Sequence, residues 1–376
     1  MIPADDAEAL RPRLLSRLRR IGALIMANLL AFLVLESVSR LVLAVAFRPE
    51  APTGADLRDW VVQAKLSFGD GLYVWDPACL WRLQPGYEGA DEGAHFWGGE
   101  PLRVNSSGHR GAERPVEKPA GVKRVLVLGG SHPMGMYVRA SESWAGVLES
   151  RLRRDGTWEV LNASVPGHSS FQGRRYLETH GAPFQPDLVI ADLGVNDTLA
   201  LTTEYPLPDA DAATKAPPPW AMETDGLLAS SGLYRLIRRL VRGAPDLRPG
   251  TPIAGKRVPT DEREQNLDAI ARFAEGIGAR AVFLSQVTVD LEGTGRAACV
   301  FRDAAREPRV DVCALFEAHG AEARRFFVDP VHANAAGHAL IGDLVADVLL
   351  RDGLVDPHGA RDVLPNGARS RTGSRP

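Results

Sequence analysis

The chain has 376 residues, of which 45% are hydrophobic and 24% are charged, a composition typical of globular domains. The 44 lysines and arginines and the 47 aspartates and glutamates leave a net charge of −3, which gives no electrostatic reason to expect a nucleic-acid partner. The sequence contains no zinc-type cysteine and histidine spacing, no glycine-rich phosphate loop and no internal repeat, so it implies no metal and no organic cofactor.

The N-terminus combines a basic segment with a long apolar one. Residues 1–20 are polar and rich in arginine, and residues 21–47 form an apolar stretch that Glu36 and Arg40 interrupt. These two charges are four residues apart, so on a helix they can pair and reduce the cost of burial. Because basic residues precede the stretch and no good cleavage site follows it, we predict an uncleaved transmembrane anchor. The N-terminus would be cytoplasmic and the remainder periplasmic or extracellular. A buried or amphipathic helix is the alternative.

The segments around the main domain are predicted from their composition. Residues 48–118 are expected to form a linker, as far as residue 70, and then an irregular lead-in, because glycine, proline and tryptophan are frequent and periodic runs are few. The proline-rich stretch at 202–219 predicts a long surface loop or lid. Residues 355–376 are predicted to be a disordered tail, which leaves 119–354 for the main domain.

Within the main domain, short apolar runs alternate with helical patterns. Residues 125–128 (VLVL) are followed by two glycines and predict a buried parallel strand ending in a tight turn. Such an alternation predicts an α/β fold with a parallel sheet. Further strands are predicted at 158–161, 187–193 and 279–285, and helices at 144–152, 233–241, 260–277 and 335–350.

Polar residues follow the predicted strands and precede the last helix. Ser131 comes after the first strand, Gly167 after the second and Asn196 after the third, while Asp329 and His332 precede the last helix. Ligands of open α/β sheets bind at the carboxyl ends of the strands, so we expect these residues to converge. His332 can take the proton of Ser131 as a general base, and Asp329 can orient the imidazole. The backbone N–H groups of Ser131 and Gly167 and the amide of Asn196 can stabilise an oxyanion.

Four segments resemble, in order and spacing, the signature blocks of the SGNH (GDSL-like) hydrolase family: VLVLGGSH, NASVPGHSS, LGVNDT and VDPVHANAAGHALIG. The resemblance covers residues 123–350, and the flanking segments are similar to membrane-anchored bacterial members. It implies a three-layer α/β/α sandwich tethered by one N-terminal transmembrane helix. It also implies ester hydrolysis by the three residues Ser131, His332 and Asp329. The oxyanion hole implied by the resemblance consists of Ser131, Gly167 and Asn196.

Three residues near the predicted nucleophile and base need a separate interpretation. Gly130 stands where the family usually has an aspartate, which is a departure from the family's pattern. His132, directly after Ser131, is expected to be a packing or solvated residue, with contact to the substrate as the alternative. His338 lies inside the last predicted helix and is interpreted as a packing or surface histidine; the predicted base is His332.

The predicted function is hydrolysis of a small acyl ester, with O-acetyl groups on an extracytoplasmic carbohydrate as the preferred substrate. Three alternatives stay open. The domain could be an O-acyltransferase, or the partner of one, that modifies a cell-surface polysaccharide. It could be a lipase or thioesterase for longer acyl chains, or a catalytically silent binding module that keeps the fold.

The three cysteines bear on the compartment. If the domain lies outside the cytoplasm, Cys299 and Cys313 could form a local disulfide and leave Cys79 unpaired. Three buried thiols are the alternative, because the sequence alone does not fix connectivity.

Overall fold

Strands and helices alternate along most of the chain, as the sequence pattern predicts. The computed structural model describes residues 4–46, 71–153, 158–202, 207–214, 220, 224, 227–228, 231–242, 252–302 and 308–355. The helices are α1 (Ala4–Ala46), α2 (Ser131–Met134), α3 (Trp144–Leu152), α4 (Ser170–Tyr176), α5 (Asp209–Thr214), α6 (Gly232–Arg242), α7 (Thr260–Gly276), α8 (Val312–Glu317) and α9 (Ala335–Arg351). The strands are β1 (Tyr73–Asp76), β2 (Leu80–Leu83), β3 (Lys123–Gly129), β4 (Trp158–Asn162), β5 (Leu188–Asp192), β6 (Ala200–Thr202), β7 (Pro252–Lys256), β8 (Arg280–Leu284), β9 (Gln286–Val289), β10 (Ala297–Phe301) and β11 (Arg309–Val310).

The main sheet contains five parallel strands in the order β11-β8-β5-β3-β4. Successive side chains of the central strand β3 point to opposite faces of the sheet. Val125 and Val127 pack into a core with residues of α3 and α9, whereas Leu126 and Leu128 pack into a second core with residues of α4 and α7. Helices therefore cover both faces, and the predicted three-layer α/β/α sandwich with a parallel sheet is confirmed.

The predicted strands are all present, with ends that differ by one or two residues. The structure adds β11 at the edge of the sheet, next to β8. It also adds a hairpin of β9 and β10, which lies outside the main sheet. Strand β11 has only two residues, so it is too short to produce a recognisable apolar run.

The lead-in at 71–118, which the sequence predicted to be irregular, contains a β-hairpin. Strands β1 and β2 pair antiparallel, with Tyr73 opposite Leu83. In the turn between them, Asp76 Oδ1 accepts the backbone N–H groups of Ala78 and Cys79 at 2.8 and 3.0 Å. Two strands of four residues are too short to show a clear alternation in the sequence, which explains why this hairpin was not predicted.

Arg124 connects the lead-in to the sheet through a fully buried side chain. Its Nε donates to Glu159 Oε2 at 2.9 Å, and its terminal nitrogens donate to the carbonyl oxygens of Pro115, Val116 and Phe184 at 2.7 to 3.0 Å. A buried guanidinium is tolerated only when its charge is paired and its N–H groups have acceptors, and this arrangement supplies both.

The stretch at 202–219, predicted to be a surface loop or lid, contains helix α5 in its described part at 207–214. Asp209 of α5 is fully buried and accepts hydrogen bonds from Arg257 Nε at 3.1 Å and Nη2 at 2.9 Å. The hydroxyl of Ser169 also donates to this carboxylate. The prediction of a surface loop is therefore wrong for this part, because a buried ion pair fixes the segment to the domain.

The described residues divide into two units, one containing α1 and α6 and the other containing the main sheet with its covering helices. In the first unit, Ser16–Val45 of α1 is the one helix among the described residues that is long and apolar enough to cross a membrane, with a mean hydropathy of 2.1. The predicted charge pair is present, since Arg40 Nε donates to Glu36 Oε1 at 2.8 Å. The predicted linker at 48–70 and the predicted tail from 356 onward lie outside the described residues.

The cysteines adopt the pairing that the sequence left open. Cys299 of β10 and Cys313 of α8 form a disulfide, and Cys79 is a buried free thiol. Its Sγ lies 3.5 Å from the carbonyl oxygen of Trp81.

Replacing Arg124 tests whether its buried contacts stabilise the domain. We expect Arg124→Ala to lower the free energy of unfolding by about 3–5 kcal/mol, because Glu159 and three carbonyl groups lose their buried partner. The measurement is chemical denaturation of the full chain in detergent micelles, followed by tryptophan fluorescence. The control is Arg272→Ala on the exposed side of α7, which should change the stability by less than about 0.5 kcal/mol. Equal stability of the two variants would contradict this account.

Candidate active site

Ser131 lies directly beyond the central strand β3, as the first residue of the short helix α2. Its hydroxyl oxygen is 2.6 Å from His332 Nε2, although the two residues are 201 positions apart in the sequence. A β carbon on the preceding Gly130 would lie only 2.6 Å from Asn196 Nδ2. The glycine therefore leaves space for the Asn196 amide, and a larger residue such as aspartate would require the Asn196 side chain to shift.

His332 and Asp329 lie together in the turn that precedes α9. His332 Nδ1 is 2.7 Å from Asp329 Oδ2, and Asp329 Oδ1 accepts the backbone N–H groups of Val331 and His332, each at 2.8 Å. Since an ionised carboxylate only accepts hydrogen bonds, Nδ1 carries the proton and Nε2 presents its lone pair to the hydroxyl of Ser131. The structure thus brings the three predicted catalytic residues into one hydrogen-bonded series.

The environment favours a neutral imidazole beside an ionised carboxylate. Burial lowers the pKa of His332 below its ordinary value, while the nearby charge of Asp329 opposes this shift. Burial alone would raise the pKa of Asp329. Hydrogen bonds from the N–H groups of Val331 and His332, together with the imidazole, outweigh that effect and hold this pKa below its ordinary value. Near neutral pH, His332 can therefore accept a proton from Ser131.

The three predicted oxyanion donors differ in their position relative to the cavity that Ser131 lines. Asn196 lies in the turn that follows β5 and lines the same small cavity as Ser131 and His168. Its Nδ2 donates to the carbonyl oxygen of His168 at 2.8 Å, and an amide nitrogen carries a second hydrogen that remains for a ligand. Gly167, adjacent to His168, adopts a positive φ of 81° but does not itself line the cavity. In the described part of the chain, the backbone N–H groups of Ser131 and Gly167 donate no hydrogen bond to another protein atom.

Two long side chains donate hydrogen bonds to the backbone carbonyl groups of the turn at Gly167. Arg257 Nη1 donates to the carbonyl oxygen of Gly167 at 2.7 Å, and the same guanidinium pairs with Asp209. Trp81 Nε1 donates to the carbonyl oxygen of Pro166 at 3.2 Å. Because both neighbouring carbonyls are engaged, the backbone of this turn is fixed in one orientation.

A second polar cluster surrounds Asp192, the last residue of β5, which the sequence analysis did not identify. Its carboxylate accepts hydrogen bonds from Gln286 Nε2 at 2.6 Å and from Trp144 Nε1 at 3.2 Å, and it lies 3.2 Å from His132 Nδ1. The ring of His132 stacks on that of His338 with centroids 5.1 Å apart. An aspartate inside the otherwise apolar run LVIADL was the signal that could have identified this cluster.

His132 and His338 both contact other protein groups and are not solvated surface side chains. His132 lines the cavity beside Ser131 and is fixed by Asp192, so the expectation of a packing or solvated residue is only partly correct. His338 is fully buried and accepts the backbone N–H of Trp144 at Nδ1, at 3.2 Å. This burial confirms the interpretation as a packing histidine, and it lowers the pKa of His338 well below the ordinary value.

Asp76, Cys79 and His180 are the group among the described residues whose side-chain atoms lie close enough together to hold a metal ion, within 4.8 Å of one another. Protein hydrogen bonds already use these atoms. Asp76 Oδ1 accepts two backbone N–H groups, and Asp76 Oδ2 lies 2.7 Å from His180 Nε2. The arrangement is therefore explained as the support of the β1–β2 turn.

Comparison with known proteins gives one extended match and several distant ones. The model of the GDSL-like lipase/acylhydrolase family matches residues 127–340, which is more than half of the chain. Esterase TesA of Pseudomonas aeruginosa is 35% identical over 85 residues, which are 22% of this chain and 42% of that protein. The chain thus matches less than half the length of this curated relative.

Two solved structures illustrate the distant similarity. The crystal structure of TesA is 20% identical, with a TM-score of 0.37, and the match covers 61% of this chain and 99% of that one. Axe2, an acetylxylan esterase from Geobacillus stearothermophilus, is 15% identical, with a TM-score of 0.36, and the match covers 64% of this chain and 97% of that one.

The pH dependence of ester turnover tests the state of His332. A base must be neutral to accept a proton, so kcat/KM should fall as the pH drops through the pKa of His332. Because burial lowers this pKa, the midpoint should lie below the ordinary histidine value of about 6.5. In Asp329→Asn, the remaining activity should have a midpoint at still lower pH, because the carboxylate that favours the imidazolium is removed. A midpoint above 6.5, or a midpoint that Asp329→Asn moves to higher pH, would contradict this assignment.

Proposed function

The chain belongs to the GDSL-like lipase/acylhydrolase family, and on that basis we propose that it is a serine esterase whose nucleophile is Ser131. The observation that carries the proposal is the contact of 2.6 Å between Ser131 Oγ and His332 Nε2, continued by the contact of 2.7 Å between His332 Nδ1 and Asp329. A serine hydroxyl is a weak nucleophile until a base takes its proton, and the short contact with the imidazole supports His332 as that base.

The proposed reaction has two steps. In the first, His332 Nε2 removes the proton of Ser131 as Oγ attacks the ester carbonyl, and the resulting oxyanion accepts hydrogen bonds from the N–H groups of Ser131 and Gly167 and from the Asn196 amide. His332 then protonates the departing alcohol, which leaves an acyl group on Ser131. In the second step, His332 deprotonates a water molecule that attacks the acyl carbonyl. The acid is released and Ser131 recovers its proton.

We propose that α1 is an uncleaved membrane anchor with a cytoplasmic N-terminus. The arginine-rich residues before the span favour retention of this end in the cytoplasm, which exports the remainder of the chain. The disulfide between Cys299 and Cys313 is independent support, since such bonds persist mainly in oxidising compartments. The esterase domain would then act in the periplasm or outside the cell.

The proposed substrate is a small acyl ester, with O-acetyl groups on an extracytoplasmic carbohydrate as the first candidate. The cavity in front of Ser131 is small and is lined partly by polar groups, including His132, His168 and Gln286, which suits a short acyl group better than a long one. The same site would serve an O-acyltransferase if a sugar hydroxyl replaced water in the second step. Transfer to an added polysaccharide that exceeds hydrolysis would favour this second candidate.

Removal of the nucleophile tests the proposed chemistry. With the full chain in detergent, we expect p-nitrophenyl acetate to be hydrolysed faster than p-nitrophenyl palmitate, and Ser131→Ala to lower kcat by about 10⁵–10⁶ without loss of fold. The matched control is Ser141→Ala, a change at an exposed serine outside the site, which should leave kcat unchanged. Undiminished turnover in Ser131→Ala would exclude this nucleophile, and faster turnover of palmitate would favour a lipase or thioesterase.

Substitution of Asn196 tests the oxyanion hole separately from the nucleophile. We expect Asn196→Ala to lower kcat by about 10²–10³ with little change in KM, because the lost hydrogen bond forms mainly in the transition state. The change also removes the bond to His168, so the melting temperature should be measured in parallel. A loss confined to KM, or a value of kcat within about twofold of the native one, would exclude Asn196 as an oxyanion donor.

A further inference from the structure

The N-terminus of helix α6 contacts a carboxylate of α1, the helix that is the candidate membrane span. Glu36 of α1 accepts hydrogen bonds from the backbone N–H groups of Gly232 and Leu233 at 2.7 and 3.0 Å and from the Ser231 hydroxyl at 2.9 Å. The first N–H groups of a helix have no partner within it, so this carboxylate caps α6 and interacts favourably with its dipole. Arg40 completes the arrangement by pairing with the same carboxylate. The beginning of α6 is thereby attached to α1 at Glu36.

In the sequence of α6, GLYRLIRRLVR, the charged and the apolar residues occupy separate faces of the helix. At 100° per residue, the arginines at 235, 238, 239 and 242 fall on one face, and the leucine, isoleucine and valine residues fall on the opposite face. The apolar face becomes more exposed towards the end of the helix, where Leu240 is 68% and Val241 is 80% exposed. A helix with a strongly basic face and an exposed apolar face is typical of the surface of a lipid bilayer.

Exposed apolar side chains are also frequent in the residues that precede α6. Outside α1, most of the large apolar side chains that are exposed in the described part of the chain lie between 220 and 241. The surfaces of soluble monomeric proteins rarely concentrate exposed apolar side chains in this way. This concentration therefore indicates an interaction surface. The residues concerned are Trp220, Leu227, Leu228, Ile237, Leu240 and Val241.

The depth of Glu36 along α1 identifies the surface that α6 would meet. If the hydrocarbon core begins at Ile21, directly after the last arginine of the basic segment, then Glu36 lies about 22 Å further along the helix at 1.5 Å per residue. The core is about 30 Å thick, so Glu36 is roughly 8 Å below its far boundary. Interfacial helices lie with their apolar faces about 5–10 Å deep at this boundary, which agrees with the attachment point of α6.

We propose that α6 is an interfacial helix that lies in the outer surface of the bilayer crossed by α1, with its apolar face towards the acyl chains and its arginines towards anionic lipid headgroups. The inference rests on the proposed role of α1 as an anchor. It explains why a carboxylate is present in an apolar helix: Glu36 is neutralised by Arg40 and by the donors of α6, and it fixes where the second helix enters the lipid.

Lipid-dependent quenching at single introduced cysteines tests the proposal on the full chain. Leu240→Cys and Arg235→Cys, on opposite faces of α6, are labelled with an environment-sensitive fluorophore in vesicles of phosphatidylcholine and phosphatidylglycerol that contain a spin-labelled lipid. The native thiols do not interfere, because Cys79 is buried and the other two cysteines form a disulfide. We expect blue-shifted emission and strong quenching at 240, and weaker quenching at 235.

One control separates the possible results. Leu30→Cys, 64% exposed in the middle of α1, should be quenched in every preparation if α1 crosses the bilayer. Quenching at 30 with none at 240 would overturn the interfacial position of α6, and blue-shifted emission at 240 without lipid quenching would mean that protein covers this face. Absence of quenching at 30 would contradict the anchor itself and with it the proposal, independently of any esterase activity.

The charge requirement is tested with Arg235→Glu combined with Arg239→Glu in the Leu240→Cys background. Charge reversal should reduce the quenching at 240 in vesicles that contain phosphatidylglycerol, and it should have little effect in phosphatidylcholine alone. Quenching at 240 that is insensitive to charge reversal in both lipids would overturn the assignment of the arginines to anionic headgroups.

Discussion

Burial of β3 on both faces is the constraint from which the arrangement of the domain follows. A strand that reads VLVL cannot expose either face to water, so helices must cover both sides of the sheet, and parallel neighbours connected by those helices satisfy this requirement. Parallel strands end at the same edge. Ser131, Gly167 and Asn196, which follow three adjacent strands, therefore lie beyond the same edge of the sheet.

Ionisable side chains at both ends of the sheet show how the domain accommodates charged groups that are wholly or partly buried. Asp329 is held ionised by backbone N–H groups, and it in turn fixes the tautomer of His332. Asp192 uses neighbouring side chains as its donors, and Arg124 uses backbone carbonyls at the opposite end of β3. Each of these side chains has several short partners, and the contacts of Asp329 define one orientation of His332 relative to Ser131.

The sequence predicted those features that depend on local patterns, and it missed those that depend on contacts between distant residues. Long apolar runs and the helix at 335–350 were predicted to within a few residues, because periodicity is a local property. Four motifs in the expected order predicted that His332 and Asn196 would lie close to Ser131. The cluster at Asp192 and the burial of Asp209 were missed, because each depends on partners many residues away. The cap that Glu36 provides for α6 was missed for the same reason, since its partners lie 195 or more positions along the chain.

Covalent capture of the nucleophile tests the central claim most directly. A fluorophosphonate reacts with a serine only when a neighbouring base activates it, and the stable adduct resembles the tetrahedral intermediate. After treatment of the full chain, intact-mass and peptide mass spectrometry should find one adduct per molecule on the peptide that contains Ser131, and none in Ser131→Ala. An adduct on a different residue, or a folded chain that stays unmodified, would contradict the account of Ser131 and His332 as nucleophile and base.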